Sequence, residues 1–266
     1  MTAMADNRLK GADNETVDAF HYGAFHVIQP KGQGHRSGSD AMFLAAMVPG
    51  DARGKVADLG AGSGAAGMAV ASRVPAVEVT LVERSAMMAE FARRSVDLDA
   101  NTALKPRMSV LEADVTLTGK ARLAAGLYDG VYDHVIMNPP FNLPADRKTP
   151  DALKAEAHAM QAEMFEKWLR TANAIAKPGG QLSLIARPQS VSEILSACEN
   201  RFGGLCITLI HPRGDANATR FLLSGVKGSR ARLEFRPPLI VHDGDGHRFT
   251  EFAAALNNGK AHLRRR

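Results

Sequence analysis

Two stretches of the chain combine residue types that can do chemistry. One is Asp58-Leu59-Gly60-Ala61-Gly62-Ser63-Gly64-Ala65-Ala66-Gly67, a carboxylate followed by closely spaced glycines. Such glycines let the backbone pass near a ligand without Cβ clashes. The other is Asn138-Pro139-Pro140-Phe141: a carboxamide, two residues of fixed φ, and an aromatic face. Glu83, Arg84 and Asp114 lie between them.

Read from Gly62, the first stretch matches G-x-G-x-x-G, the dinucleotide fingerprint. In a dinucleotide enzyme the first glycine follows its strand directly and a pyrophosphate sits at the helix N-terminus. Here Asp58 stands two residues ahead of Gly60, where it would repel that anion. The same carboxylate suits a cation. S-adenosyl-L-methionine carries an ammonium and a sulfonium and no phosphate, so Asp58, Gly60, Ala61, Gly62 and Gly64 favour it over NAD. Glu83, followed by Arg84, can accept hydrogen bonds from ribose hydroxyls. NAD enzymes use the same device, so Glu83 supports an adenosine cofactor without choosing one. Asp114 reads equally as an acceptor for an adenine amino group or as a cap for a helix starting at Val115.

Asn-Pro dipeptides commonly start plain turns. The position of this one, after the fourth strand of an alternating series, gives it chemical meaning. The exocyclic nitrogen of adenine or of a carboxamide has a delocalised lone pair and is a poor nucleophile. The Asn138 side-chain oxygen and the Pro139 carbonyl can accept from its two N–H bonds. That grip favours a pyramidal nitrogen and stabilises the positive charge developing on it. Pro139 and Pro140 hold the geometry, and Phe141 offers a stacking face. The proton can leave after transfer, so the chemistry requires neither a strong base nor a metal. The expected catalytic group is Asn138, Pro139, Pro140 and Phe141, with Asn138 also bordering the cofactor.

These residues need elements to hold them. Strands are expected at 55–59, 77–83, 107–113, 132–137, 181–186, 205–210, 220–226 and 232–241, and a strand-like pattern at 20–30. Helices are expected at 40–48, capped by Ser39, and at 65–73, 85–99, 115–127, 151–176, 191–202 and 249–256. Lys177-Pro178-Gly179-Gly180 should stop the long helix. Met160, Met164 and Trp168 repeat at helical spacing and read as core rather than as a stacking surface. Such alternation implies an α/β, Rossmann-like fold: a mostly parallel seven-stranded sheet, helices on both faces, and a small N-terminal hairpin and helix extension. Both chemical stretches then share one cleft at the carboxyl ends of the strands. Residues 1–19 are expected to be a mobile segment. Residues 20–256 form a single domain, with 20–52 as an extension reaching the cleft. Residues 257–266 form a basic tail, read as frayed or as an RNA contact.

Composition narrows the class. The chain has 266 residues, 33 Lys and Arg against 28 Asp and Glu, and a formal charge of +5, compatible with a nucleic-acid partner. No run of 18 apolar residues occurs, so no membrane span is expected, and Met1–Gly11 lack the apolar core of a secretory signal. Cys198 and Cys206 have no metal-ligand spacing, nor do the nine histidines. A reducing cytoplasm is expected. The oligomeric state is not legible.

Asp58–Gly64 with Asn138–Phe141 resembles the class I amino-methyltransferases that carry an Asn/Asp-Pro-Pro-aromatic signature. Gly38-Ser39-Asp40 resembles the G-[ST]-D segment ahead of their glycine loop. His211-Pro212-Arg213, Thr219–Leu223, Pro238–His242 and Phe249-Thr250-Glu251 are similar to the late part of one subgroup, the bacterial tRNA1(Val) adenine-N6-methyltransferases. The likeness spans about residues 20–256, with Phe141 in place of a commoner Tyr. It implies methyl transfer from S-adenosyl-L-methionine to the N6 of an adenine in RNA, a tRNA loop above all. It also implies that Ser39 and Asp40 close over the cofactor's methionine end. The other reading of those two is that they merely begin a helix. Lys31, His35, Arg36, Arg147, Lys148, Arg213 and Arg220 could then meet phosphates. Protein methylation at a glutamine amide is the alternative. Enzymes of that type usually carry a larger N-terminal helical domain, for which residues 1–50 are too short.

Overall fold

The computed structural model describes residues 14–31, 37–140, 151–244 and 246–263, and for 151–159 and 161 the backbone alone. A hairpin comes first, β1 (Glu15–Phe20) against β2 (Phe25–Pro30). After α1 (Ser39–Ala45) the alternation begins: β3 (Gly54–Leu59), α2 (Ala65–Arg73), β4 (Val77–Glu83), α3 (Ala86–Asp97), β5 (Met108–Glu112), α4 (Gly119–Ala124), β6 (Tyr132–Met137), α5 (Asp151–Ile175) and β7 (Ala176–Ala186). There follow α6 (Val191–Cys198), β8 (Phe202–His211), β9 (Arg220–Lys227), β10 (Glu234–Phe235), β11 (Leu239–Ile240) and α7 (Glu251–Asn257).

The main sheet runs β10-β8-β9-β7-β6-β3-β4-β5, with β11 also beside β8. Its pairings are parallel except those of β9, which is antiparallel to both β7 and β8. The seven long strands are those expected, and β10 and β11 add two residues each along β8. Alternate side chains feed two cores, as the period of two requires. Val56, Leu81, Ile136 and Ile185 pack with α1, α2 and α7 on one face. Ala57, Val82, Val135, Met137 and Leu184 pack with α5 and α6 on the other.

Several expectations are corrected. Residues 15–19 are part of β1, not a mobile segment: buried Glu15 takes two hydrogen bonds from Arg94 of α3, at 2.8 and 2.6 Å. Residues 1–13 lie outside the described residues. The 20–30 pattern is broken at His21–Gly23 by a turn with left-handed backbone. Ser39 is the first residue of α1 rather than its cap, which is Gly38. The helix predicted from Val115 begins at Gly119, because Asp114 and Thr116 form a turn instead. The long helix stops at Ile175, just ahead of Lys177-Pro178-Gly179-Gly180 as expected, but β7 starts at Ala176 rather than Gln181, and an irregularity in its pairing with β6 accommodates the Lys-Pro-Gly-Gly run. Residues 232–241 are two short strands, because Pro237 and Pro238 offer no N–H to a ladder. The tail is not frayed as far as 263: Leu263 N–H donates to Ala46 O at 2.9 Å.

Candidate active site

The chain runs outward from β3 to β4 and β5, then returns to place β6 on the other side of β3. Ligand sites of open α/β sheets form at this reversal, beyond the carboxyl ends of the strands. Leu59 pairs with Met137 at the last register position, so Gly60 and Asn138 leave the sheet side by side. A cleft of about 880 Å³ opens there, within the rough range of 300–1,000 Å³ for small-molecule sites.

Ser39, Asp40, Asp58, Gly60, Ala61, Gly62, Glu83, Arg84, Asp114, Asn138 and Pro140 all line this cleft. Gly64 stands behind it as the cap of α2, at φ +94°, where an added Cβ would meet Leu81 at 2.7 Å. Pro139 is buried behind Asn138. Phe141 lies outside the described residues, as do His35, Arg36, Arg147 and Lys148.

Asp58 is 2 % exposed, and its Oδ2 accepts from the Gly67 N–H at 2.8 Å. Burial, with the nearby charge of Glu83, pushes its carboxyl up to about 7, against the pull of the Gly67 N–H. Glu83 takes the Gly62 N–H on Oε2 at 2.9 Å and the Ser85 N–H on Oε1 at 2.8 Å. A carboxylate has about four acceptor positions, so each oxygen keeps room for another donor. The Gly62 N–H is thus turned to a carboxylate rather than offered to a phosphate. Asp114 Oδ1 accepts from Thr116 N–H at 2.7 Å, and this turn holds the carboxylate at the wall of the cleft. Ser85 caps α3, accepting from Met88 N–H at 3.4 Å.

Asp40 is not a free anion: Arg220 Nε donates to its Oδ2 at 2.9 Å, joining α1 to the start of β9. The pair removes Arg220 from the list of independent phosphate contacts. Arg213 is likewise turned to the carbonyls of Gly244 and Gly246, both at 3.0 Å.

Asn138 is different. Its side-chain oxygen is buried and has no hydrogen-bond partner among the described residues. Buried acceptors are nearly always satisfied, so one left open on the wall of a cleft awaits a donor.

One wall reads in the sequence only as core, which holds for Trp168 and for Met164 packed beside it. Met160, Met164, Lys167 and Trp168 of α5 line the cleft, with Met87 and Met88 at the start of α3. Trp168 is 8 % exposed and belongs to the core, yet its ring also floors the glycine loop. A Cβ on Gly60, whose φ is +70°, would come within 2.4 Å of Trp168 Cη2. The i, i+4, i+8 spacing did show that Met160, Met164 and Trp168 share a face.

Residues 36–206 match the family model described as the methyltransferase small domain. A solved structure from Agrobacterium tumefaciens, titled a predicted O-methyltransferase, is 55% identical, with a TM-score of 0.75 over 85% of this chain and 99% of that one. A tRNA1(Val) (adenine(37)-N6)-methyltransferase from Porphyromonas gingivalis is 26% identical over 89% of this chain and 92% of its own length. A release factor glutamine methyltransferase from Bifidobacterium longum is 34% identical over 48% of this chain and 45% of its own.

Proposed function

Since the chain belongs to the methyltransferase small-domain family, we propose that it transfers a methyl group from S-adenosyl-L-methionine to the exocyclic N6 of an adenine in RNA, with tRNA as substrate. The observation that carries this is the buried, unpartnered Asn138 oxygen at the carboxyl end of β6. An amino group bound beside β6 would satisfy that acceptor, and the Pro139 carbonyl would take its second N–H. A hydroxyl acceptor could fill only one of the two. The relative from Porphyromonas gingivalis, similar along nearly its whole length, carries this specificity in its name.

The cleft suits the cofactor. Glycines at positive φ keep Cβ atoms out of the β3 loop, Asp58 offers an anionic neighbour to an ammonium, and Glu83 has acceptor capacity for ribose hydroxyls. The cofactor supplies a methyl group activated on a sulfonium. The chain's own work is to hold the acceptor nitrogen, stabilise the charge that develops on it, and exclude water. NAD fits less well, since Asp58 stands just ahead of the glycine loop and the Gly62 N–H is turned to a carboxylate rather than to a phosphate. A tRNA substrate implies a cytoplasmic enzyme.

The test is incubation with labelled S-adenosyl-L-methionine and tRNA lacking modifications, followed by nucleoside analysis. Label in N6-methyladenosine supports the reading. Label in glutamine of a protein fraction would move the acceptor to a carboxamide, and label on a ribose or other hydroxyl would make the enzyme an O-methyltransferase.

A further inference from the structure

A second cavity, of about 650 Å³, adjoins the cleft and shares Gly38 and Ser39 with it. Phe20, His21 and Tyr22 of the hairpin turn form one side, and Phe249, Asn257 and Asn258 the other. His21 and Tyr22 both hold left-handed backbone, at φ +50° and +57°. Residues with a Cβ seldom adopt this conformation, and two in succession are costly.

The surroundings force the turn. The His21 ring is buried edge-on to Phe25 at 5.2 Å, and Phe20 stacks on Phe25 at 5.4 Å. Gly259 closes over the same ring, where a Cβ would lie 2.7 Å from Nδ1. Tyr22 gains no such packing and is 80 % exposed. The packing of the turn thus carries an exposed aromatic ring to the rim of the cavity, where a flat ligand can stack on it. Opposite it, Asn258 Nδ2 donates to Ala254 O at 2.8 Å, which leaves its side-chain oxygen to accept from a ligand. An aromatic face with carboxamides beyond it is the combination that reads an unpaired base, by stacking and by its edge.

We propose that this cavity holds an unpaired nucleobase next to the methyl-accepting nucleotide, stacked on Tyr22 and met at its edge by Asn257 and Asn258. The proposal rests on the RNA reading above and adds a second contact to it. A base splayed into the cleft leaves its neighbour unstacked, and the shared wall at Gly38 and Ser39 puts a receiving surface beside it.

The experiment uses the full chain and an RNA stem-loop that the wild type methylates, with 5-iodouridine placed in turn on either side of the target adenine. Irradiation is expected to join one of these positions to Tyr22. Tyr22→Gly relieves the left-handed strain, so its melting temperature should rise, by about 2–4 °C. Its KM for RNA should rise about 10-fold or more, with kcat and cofactor affinity kept, while Tyr22→Phe restores the KM. A stabilised protein with weakened RNA binding is an outcome that a merely structural role for Tyr22 would not give. If the wild type methylates the RNA but Tyr22→Gly leaves its KM unchanged, or crosslinks fall only elsewhere, the second contact is overturned and the RNA reading stands. If the wild type neither methylates nor binds any RNA, both fall together.

Discussion

Asp58 lies near the end of β3 and Asn138 just past the end of the neighbouring β6, and they carry different kinds of cost. Asn138 leaves a buried oxygen unpaired, which costs about 1–3 kcal/mol, an expense that substrate would remove. Asn138→Ala should therefore fold at least as well as the wild type. Its turnover should fall about 10²–10³-fold, the loss typical of one preorganised group. Calorimetry should show cofactor affinity nearly unchanged, and retention of full activity would remove Asn138 from the mechanism. Asp58 is held near pH 7 by burial, with Glu83 adding to it. Its folded value lies above its unfolded one, so its proton favours the fold at low pH and that benefit is lost as pH rises toward 7. A cation docking there should draw the proton off. Binding of S-adenosyl-L-methionine at pH 6 is thus expected to release a proton, seen as a heat that changes with the buffer's ionisation enthalpy. Near pH 8.5 the release should vanish, and Asp58→Asn should abolish it while weakening binding. A buffer-independent heat at pH 6 would mean that the carboxylate does not meet the cation.

At the scale of elements, the contact between α2 and the sheet is set by a missing side chain. A Cβ on Gly67 would lie 2.3 Å from Leu81 Cδ2 and 3.1 Å from Asp58 Oδ2. Gly67→Ala should cost about 1–3 kcal/mol and disturb the acceptor geometry of Asp58. Gly214→Ala, with nothing within 4 Å of the new Cβ, should melt as the wild type does. The alternating elements were legible because their signals are local: β4 is rich in β-branched residues and holds no Gly or Pro, and α2 is bounded by Gly64 and by Val74 and Pro75. β1 escaped because its charges look like surface until their distant partners are known, Arg94 for Glu15 and Gln29 for Asp18. The loop residues of the cleft could be picked out one by one, since chemistry limits which types serve there. The α5 wall could not, because helical spacing says which residues share a face but not whether that face meets core or ligand. The Asp40–Arg220 pair joins residues 180 positions apart, and no local pattern announces it.

Over the whole molecule, distant parts of the chain converge on α1. Arg73 of α2 caps it by donating to the Ala45 and Val48 carbonyls, and Leu263 N–H reaches Ala46. Ala261 and Leu263 pack on the core beside it, and α1 carries Ser39 and Asp40 to the cleft. A chain ending at Asn258 should therefore melt several degrees lower in calorimetry and bind S-adenosyl-L-methionine more weakly, although residues 259–263 do not line the cleft. Unchanged binding would show that α1 is held well enough from the sheet side. The order of the sheet also has a consequence for biosynthesis. β9 lies between β7 and β8 but follows both in the chain. A growing polypeptide exposes β8 before the strand that must join it to the sheet exists, and β7 meanwhile keeps an open edge. The second half of the sheet cannot be laid down in the order of translation. The nascent chain passes through a stage with β8 unpaired and β7 open along one edge, and in that interval its strands are most exposed to pairing with another chain.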